Sequence, residues 1–308
     1  MTSQVTSQVT NQVTNQVSSQ AALTRSQLSL QLGCNAADQT VLQKRYMAYP
    51  LSVSPLFRRE DSIEKARSKR AYLYRMNTSP GLLAEDALGI EIQLAPGSQL
   101  YLADQSATKV HQMPDLDTHA TVKYDIKLEA DSTLEFLPEP LILFENSDLQ
   151  QTTDITMHRE AGLCWGEIVL PGRLARGEVY QFRKYLNKTR IQLPNGKPWF
   201  AETIHLTGKG NRFVQSPLFA SAPVLGTLIL VLPEAITTTT TLKALSAQID
   251  QTATEATSIN LASSILPGNR GLFVRAMSET TREIQLCFRQ ALNCVRSLRG
   301  QNPLPYGL

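Results

Sequence analysis

Three carboxylates, Glu91, Asp125 and Asp154, occupy matching positions in three segments of similar pattern, and a fourth, Glu167, interrupts an otherwise apolar stretch. Like charges side by side on neighbouring strands repel unless water or a cation lies between them. Such a row is therefore either a solvated strand face or a polar lane between stacked layers. The three lie between inward apolar residues and so point away from that core, which favours the solvated face. Glu167 belongs to Trp165-Gly-Glu-Ile-Val-Leu-Pro-Gly-Arg-Leu-Ala-Arg-Gly-Glu178. A buried charge needs a partner, and Arg173 or Arg176 would supply one. This reads equally as an ion pair that fixes the fold or as a working polar group. The segment Leu100 to Val110 likewise carries polar residues inside an apolar strand pattern.

Other reactive side chains form no recognisable centre. His111, His119, His158 and His205 show no H-x-H or H-E-x-x-H spacing, and each reads as a surface or hydrogen-bonded residue. Cys34, Cys164, Cys287 and Cys294 contain no C-x-x-C pair. Cys287 and Cys294 share an expected helix, about 10 Å apart, too far for a disulfide. All four read as reduced thiols. There is no G-x-S-x-G elbow, phosphate loop or dinucleotide fingerprint, so a non-enzymatic protein is expected.

The totals point the same way. The chain has 308 residues, 42% of them apolar, enough for a sizeable core. Its net charge of +3 is too small to imply nucleic acid or an anionic membrane as partner, and aromatic residues are few. The longest apolar run, Val224 to Leu232, falls short of the ~20 residues of a spanning helix. The N-terminus lacks the early basic residues and apolar run of a signal peptide. A cytoplasmic protein is expected, with neither nucleic acid nor membrane as partner.

The elements that must position these groups follow from periodicity. Residues 1–24 repeat Ser-Gln-Val-Thr and Asn-Gln-Val-Thr with only Val apolar, and are expected to be a disordered low-complexity tail. Residues 25–308 are expected to form one β-rich domain. Arg58 to Arg75, dense in charge of both signs, reads as a solvated loop or short helix. The pattern Ile90, Ile92, Leu94, a turn over 95–98, then Leu100 and Leu102 recurs 34 residues later at Tyr124, Ile126, Leu128, Leu134 and Phe136. It recurs again 29 residues on at Thr153, Ile155, Met157, Leu163 and Trp165. One hairpin alone is marginal, so three should stack on a shared core. The expected fold is mainly β: stacked antiparallel hairpins in a layered, solenoid-like or sandwich arrangement. Ile284, Cys287, Phe288, Ala291, Leu292, Val295 and Leu298 follow helical spacing after a Thr280/Glu283 capping box, predicting a C-terminal helix over about 280–299 that stops at Gly300.

Several segments, in order, resemble the UreD (UreH) family of urease accessory proteins, and the likeness runs from about Leu28 to Tyr306. Ser106-Ala107-Thr108-Lys109-Val110 is similar to the family's A-A-T-K-V/I-Y. Leu134-Glu-Phe-Leu-Pro-Glu-Pro-Leu-Ile-Leu-Phe144 is similar to L-E-W-L-P-Q-x-x-I-L-F, and Gly172-Arg-Leu-Ala-Arg-Gly-Glu178 to G-R-x-A-R-G-E. Val224 to Leu228 and Leu266-Pro267 through Val274-Arg275 match later landmarks. Where the family carries G-G-x-x-G-G-D, this chain has Ser79-Pro-Gly-Leu-Leu-Ala-Glu-Asp86, keeping one glycine and the aspartate.

The resemblance implies a urease maturation factor: a non-enzymatic scaffold and metallochaperone that binds the urease apoprotein and a helical UreF-like partner, through which a UreG-like GTPase is recruited. It implies nickel in transit and no tightly bound cofactor. Residues matching family motifs make Asp86, Thr108 and Glu167 candidates for the metal path. Lys109, Arg173 and Arg176 are expected to order its walls by ion pairing. Leu292 and Val295, on the long apolar stripe of the C-terminal helix, are expected to contact the partner. The alternatives are a structural β-solenoid adaptor without a metal path and a hydrolase on a β scaffold.

Overall fold

The computed structural model describes residues 26–59, 69–210, 212–255 and 259–305. The expected tail, residues 1–24, lies outside the described residues. In chain order the strands are β1 (Leu28–Cys34), β2 (Thr40–Met47), β3 (Leu51–Val53), β4 (Ala71–Asn77), β5 (Ala87–Leu94), β6 (Gln99–Asp104), β7 (Thr108–Val110), β8 (Ala120–Leu128) and β9 (Thr133–Leu137). They continue as β10 (Leu141–Leu143), β11 (Asp148–Met157), β12 (Gly162–Leu170), β13 (Lys184–Gln192), β14 (Pro198–Thr207), β15 (Val224–Val231), β16 (Ile259–Ile265) and β17 (Gly271–Ser278). The helices are α1 (Pro217–Ser221), α2 (Thr239–Glu255) and α3 (Thr281–Leu298).

Two sheets face each other. One runs β14-β13-β11-β8-β5-β1-β2; the other runs β16-β17-β15-β12-β9-β6-β4-β3, with β10 and β7 attached beside β12. The main core fills the space between them, and a second core lies between the other sheet face and α2 and α3. The protein is mostly β, layered, with a C-terminal helix, as the alternation implied.

The repeats stack in the expected register. Ile90 pairs with Tyr124 and Ile126 with Ile155 in the first sheet, and Leu134 with both Leu100 and Leu163 in the second. The pairing within each repeat differs from the hairpin expectation. β5 and β6 do not bond to each other. Each repeat is an arch whose strands join opposite sheets, and successive repeats pair in parallel: β5 with β8 and β8 with β11, β6 with β9 and β9 with β12. Alternation of apolar residues reports which side chains face the core and is the same for a hairpin and an arch, so it could not separate them. The charge-dense segment is corrected as well. Its end, from Ala71, is the buried strand β4, while 60–68 lie outside the described residues.

α3 begins at the expected cap, where the Thr280 side chain accepts from the Glu283 N–H, and Gly300 follows its end with a φ of 64°. Its stripe lies on β15 and β17. Gly226 of β15 makes this approach possible: a Cβ there would meet Ile284 Cγ2 at 2.5 Å and Phe288 Cζ at 2.9 Å. Leu292 and Val295 are 0% and 6% exposed in this second core. That corrects their assignment to a partner surface, because the sheet beneath covers this part of the apolar stripe. Leu292→Ala is accordingly expected to cost about 2–5 kcal/mol of stability, read as a lower denaturation midpoint of the isolated protein. Leu286→Ala, at a position 56% exposed on the same helix, should leave the midpoint unchanged.

Candidate functional site: a polar lane between the sheets

Strand alternation on β12 turns Leu163, Trp165, Glu167 and Val169 toward the facing sheet. The carboxylate of Glu167 thus meets inward side chains of β11 and β13. Gln151 Nε2 donates to its Oε2 at 2.6 Å and Asn187 Nδ2 at 2.8 Å, and the Tyr185 hydroxyl stands beside it. Glu167 is partly buried as a residue, and Asn187 Oδ1 beside its carboxylate is enclosed with no hydrogen-bond partner among the described residues. Enclosed acceptors without donors are costly unless water or a cation satisfies them. Burial pushes the carboxyl's pKa up, against the hydrogen bonds from Tyr185, Asn187 and Gln151.

A cavity of about 60 Å³ adjoins this group, room for more than one water. Its walls include Thr108, Gln151, Glu167, Tyr124, Arg75 and Asp104. Arg75 Nε donates to Asp104 Oδ1 at 2.7 Å, and its Nη1 to the Tyr124 hydroxyl. A second cavity of about 370 Å³ lies on the outer face of the same sheet, under the first half of α3. The two share Asp104, Pro138, Glu139 and Ile168. Gln285 of α3 donates to Glu139 at 3.1 Å, and burial raises the pKa of Glu139, with Asp104 adding to the shift. Toward the opposite edge, Glu167 neighbours Thr227, and Thr227 neighbours Arg275. Arg275 pairs with Glu202 of the facing sheet, whose pKa burial raises despite that pairing. Polar side chains thus extend from the α3 groove at Glu139, through Asp104, Arg75, Tyr124 and Glu167, to Glu202 at the open edge.

Thr108 and Glu167 line the same cavity. Asp86 does not: its Oδ2 accepts the Leu83 N–H at 2.7 Å and holds the turn before β5. There Glu85 takes a left-handed φ of 66°, a conformation glycine adopts without steric cost, so the turn persists where this chain departs from the glycine-rich pattern. Arg173 and Arg176 are not partners of Glu167. They sit on the turn beyond the end of β12, and Arg173 pairs with Glu178 at 2.6 Å and stacks on Phe144. Lys109 and Arg176 are exposed and form no ion pair among the described residues, which corrects their assignment to wall ordering. Glu91, Asp125 and Asp154 lie in register on the outer face of the first sheet. Ser26 donates to Glu91 at 2.6 Å and Arg190 to Asp154 at 2.7 Å, so the solvated-face reading holds.

Sequence reasoning missed Arg75, Asp104, Glu139, Gln151, Tyr185 and Asn187. A signal existed for two of them. Asp104 lies in the polar-interrupted stretch Leu100–Val110, and Gln151 shares the inward parity of Ile155. Among the described residues no group of three or more His, Cys, Asp and Glu is arranged to hold a metal ion, and no helix is long and apolar enough to cross a membrane.

Comparison with known proteins places this geometry in context. The sequence model of a family described as "UreD urease accessory protein" matches residues 24–306. A protein of Trichodesmium erythraeum named "Urease accessory protein UreD" is 43% identical over 285 residues, covering 92% of this chain and 99% of the relative. One of that name from Actinobacillus pleuropneumoniae is 37% identical over 180 residues, 58% of this chain and 64% of the relative. A "Urease accessory protein UreD 2" of Streptomyces griseus is 27% identical over 270 residues, 87% and 88% of the two chains.

Proposed function

The chain belongs to the UreD family of urease accessory proteins, and from that premise we propose that it is a cytosolic, non-enzymatic metallochaperone scaffold guiding nickel into the urease apoprotein. Membership implies a role in urease maturation. The finer reading is that the protein binds the apoprotein on one side and a UreF-like partner on another. A UreG-like GTPase that brings the nickel is held through that partner. The single observation that carries the reading is the polar lane, in which the enclosed Glu167 carboxylate adjoins a cavity.

A conduit needs ligands that release what they bind. Nickel prefers imidazole and accepts oxygen donors. Spaced oxygen donors suit exchange: Glu139, Asp104, Thr108, Glu167 and Glu202 each offer one or two atoms, separated by amides and hydroxyls. Asp86 and the outer carboxylate row stand apart from this route. Glu167 and Glu139, whose protonated forms burial favours, can exchange a proton for the cation.

The test is co-expression with urease subunits and UreF- and UreG-like proteins, followed by affinity purification and metal analysis. The expected result is one complex containing this chain and apo-urease, whose activation by added nickel requires this chain. Co-purification together with full activation in its absence would refute the role.

A further inference from the structure

Between the α3 groove and Glu167 the lane carries a fixed positive charge, which is unexpected on a route for cations. The Arg75 side chain is 10% exposed and its partner Asp104 6%. Its guanidinium lies 5.5 Å from the centroid of the Tyr124 ring and 5.4 Å from that of Phe136, and it also donates to the Tyr124 hydroxyl. Asp104 belongs to both cavities, whereas Arg75 lines only the inner one. A cation entering from the groove therefore meets Asp104 from one side while Arg75 holds it from the other.

We propose that Arg75 is a resident counter-ion valve, held on Asp104 while the lane is empty and displaced from it by the incoming divalent cation. This rests on the nickel-conduit reading above. Two features of the site make the exchange workable. The Tyr124 hydroxyl and the two aromatic faces, which the guanidinium already touches while it is bonded to Asp104, keep hold of it when that bond is released. Returning to Asp104, it replaces the departing cation as counter-charge, so the carboxylate neither keeps the metal nor stands unpaired in a largely enclosed site. Without Arg75, Asp104 would be a bare carboxylate at the neck between two cavities, a trap for a cation.

The experiment uses the co-expressed complex with urease, and reads the nickel retained per complex after gel filtration alongside the rate of urease activation at limiting nickel. Arg75→Met is expected to retain severalfold more nickel than the unaltered protein and to activate more slowly. Adding Asp104→Asn to that variant should return retention to the starting level. Equal retention in Arg75→Met and the unaltered protein, with the complex intact, overturns the valve, as does undiminished retention in the double variant. If Arg75→Met does not assemble, Arg75→Lys decides. Lysine keeps the charge but loses the fork that holds Asp104 and Tyr124 together, so retention should rise to a smaller extent, and unchanged retention refutes the proposal. Glu167→Gln separates the two readings. If it leaves activation untouched, the conduit itself falls. If it blocks activation while Arg75→Met changes nothing, the valve alone falls.

Discussion

Glu167→Gln is expected to lower urease activation by roughly tenfold or more while leaving the protein folded and in complex, since about 1.4 kcal/mol of lost cation stabilisation gives that ratio. The amide is nearly isosteric with the carboxylate, and its oxygen can accept from Gln151 and Asn187 as Oε2 does now. What it removes is the charge and the second carboxylate acceptor. Stability should move the other way. The folded carboxyl has its pKa raised, chiefly by burial, so the folded state binds a proton more tightly than the unfolded chain does. The stability that this proton brings is present at low pH and is lost as the pH rises from the ordinary carboxyl range through the raised folded value. Toward neutral pH this contribution shrinks, and there Glu167→Gln should be as stable as the unaltered protein or more so. Thermal denaturation of both proteins from neutral pH downward checks this. The unaltered protein should gain on the variant as the pH falls, and a variant less stable at neutral pH would show Glu167 to be a structural group. Activation assayed on the same preparations separates the two roles.

The sequence reveals the framework better than the site, for identifiable reasons. The segments around residues 90, 124 and 153 are alike enough that their alignment alone gives the register between repeats, because stacked repeats place equivalent residues side by side. Whether each repeat is a hairpin or an arch was hidden, since Leu100 faces the core either way. At the site, Glu167 was legible as a charge within an apolar strand. Its partners were not: Gln151 and Asn187 lie 16 and 20 residues away and are neutral, and opposite charge was the only rule available for choosing among neighbours. That rule pointed to Arg173 and Arg176, which are near in sequence but lie past the strand end. Arg75 and Asp104, 29 residues apart, meet because parallel pairing of β4 with β6 sets them in register. The partner-facing reading of Leu292 and Val295 failed because periodicity locates an apolar stripe without saying what covers it. A second core on the outer face of the second sheet requires that stripe for itself.

Glu135→Gln is expected to produce the largest loss of stability, about 3–5 kcal/mol, because it strips the counter-charge from a buried cluster of guanidinium groups. Glu135 on β9 is 2% exposed and faces α3. Arg70 Nη1 lies 2.8 Å from its Oε1, and Arg296 of α3 bonds its Oε2 through Nε at 3.1 Å and also through Nη2. Arg299 donates to the adjacent Thr133 at 2.8 Å. One carboxylate balances several cations, so removing it leaves charges that cannot reach water. Such a loss is a large share of the ~5–15 kcal/mol that holds most domains folded. Burial alone would raise the Glu135 pKa, yet Arg70 and Arg296 overcome it and hold the carboxyl below its ordinary value. Its contribution is therefore complete above the unfolded carboxyl range and disappears as the pH falls through the lower folded value, opposite in sign to Glu167. Two carboxylates of one interior thus respond to acid in opposite directions, because burial outweighs the neutral donors around Glu167 and is outweighed by the guanidiniums around Glu135. The same clamp ties α3 to the sheet, and α3 supplies Gln285 and Arg289 to the groove where the lane begins. Hydrogen exchange should show α3 losing protection first in Glu135→Gln, with activation lost alongside. Full protection of α3 in that variant would mean that apolar packing alone seats the helix.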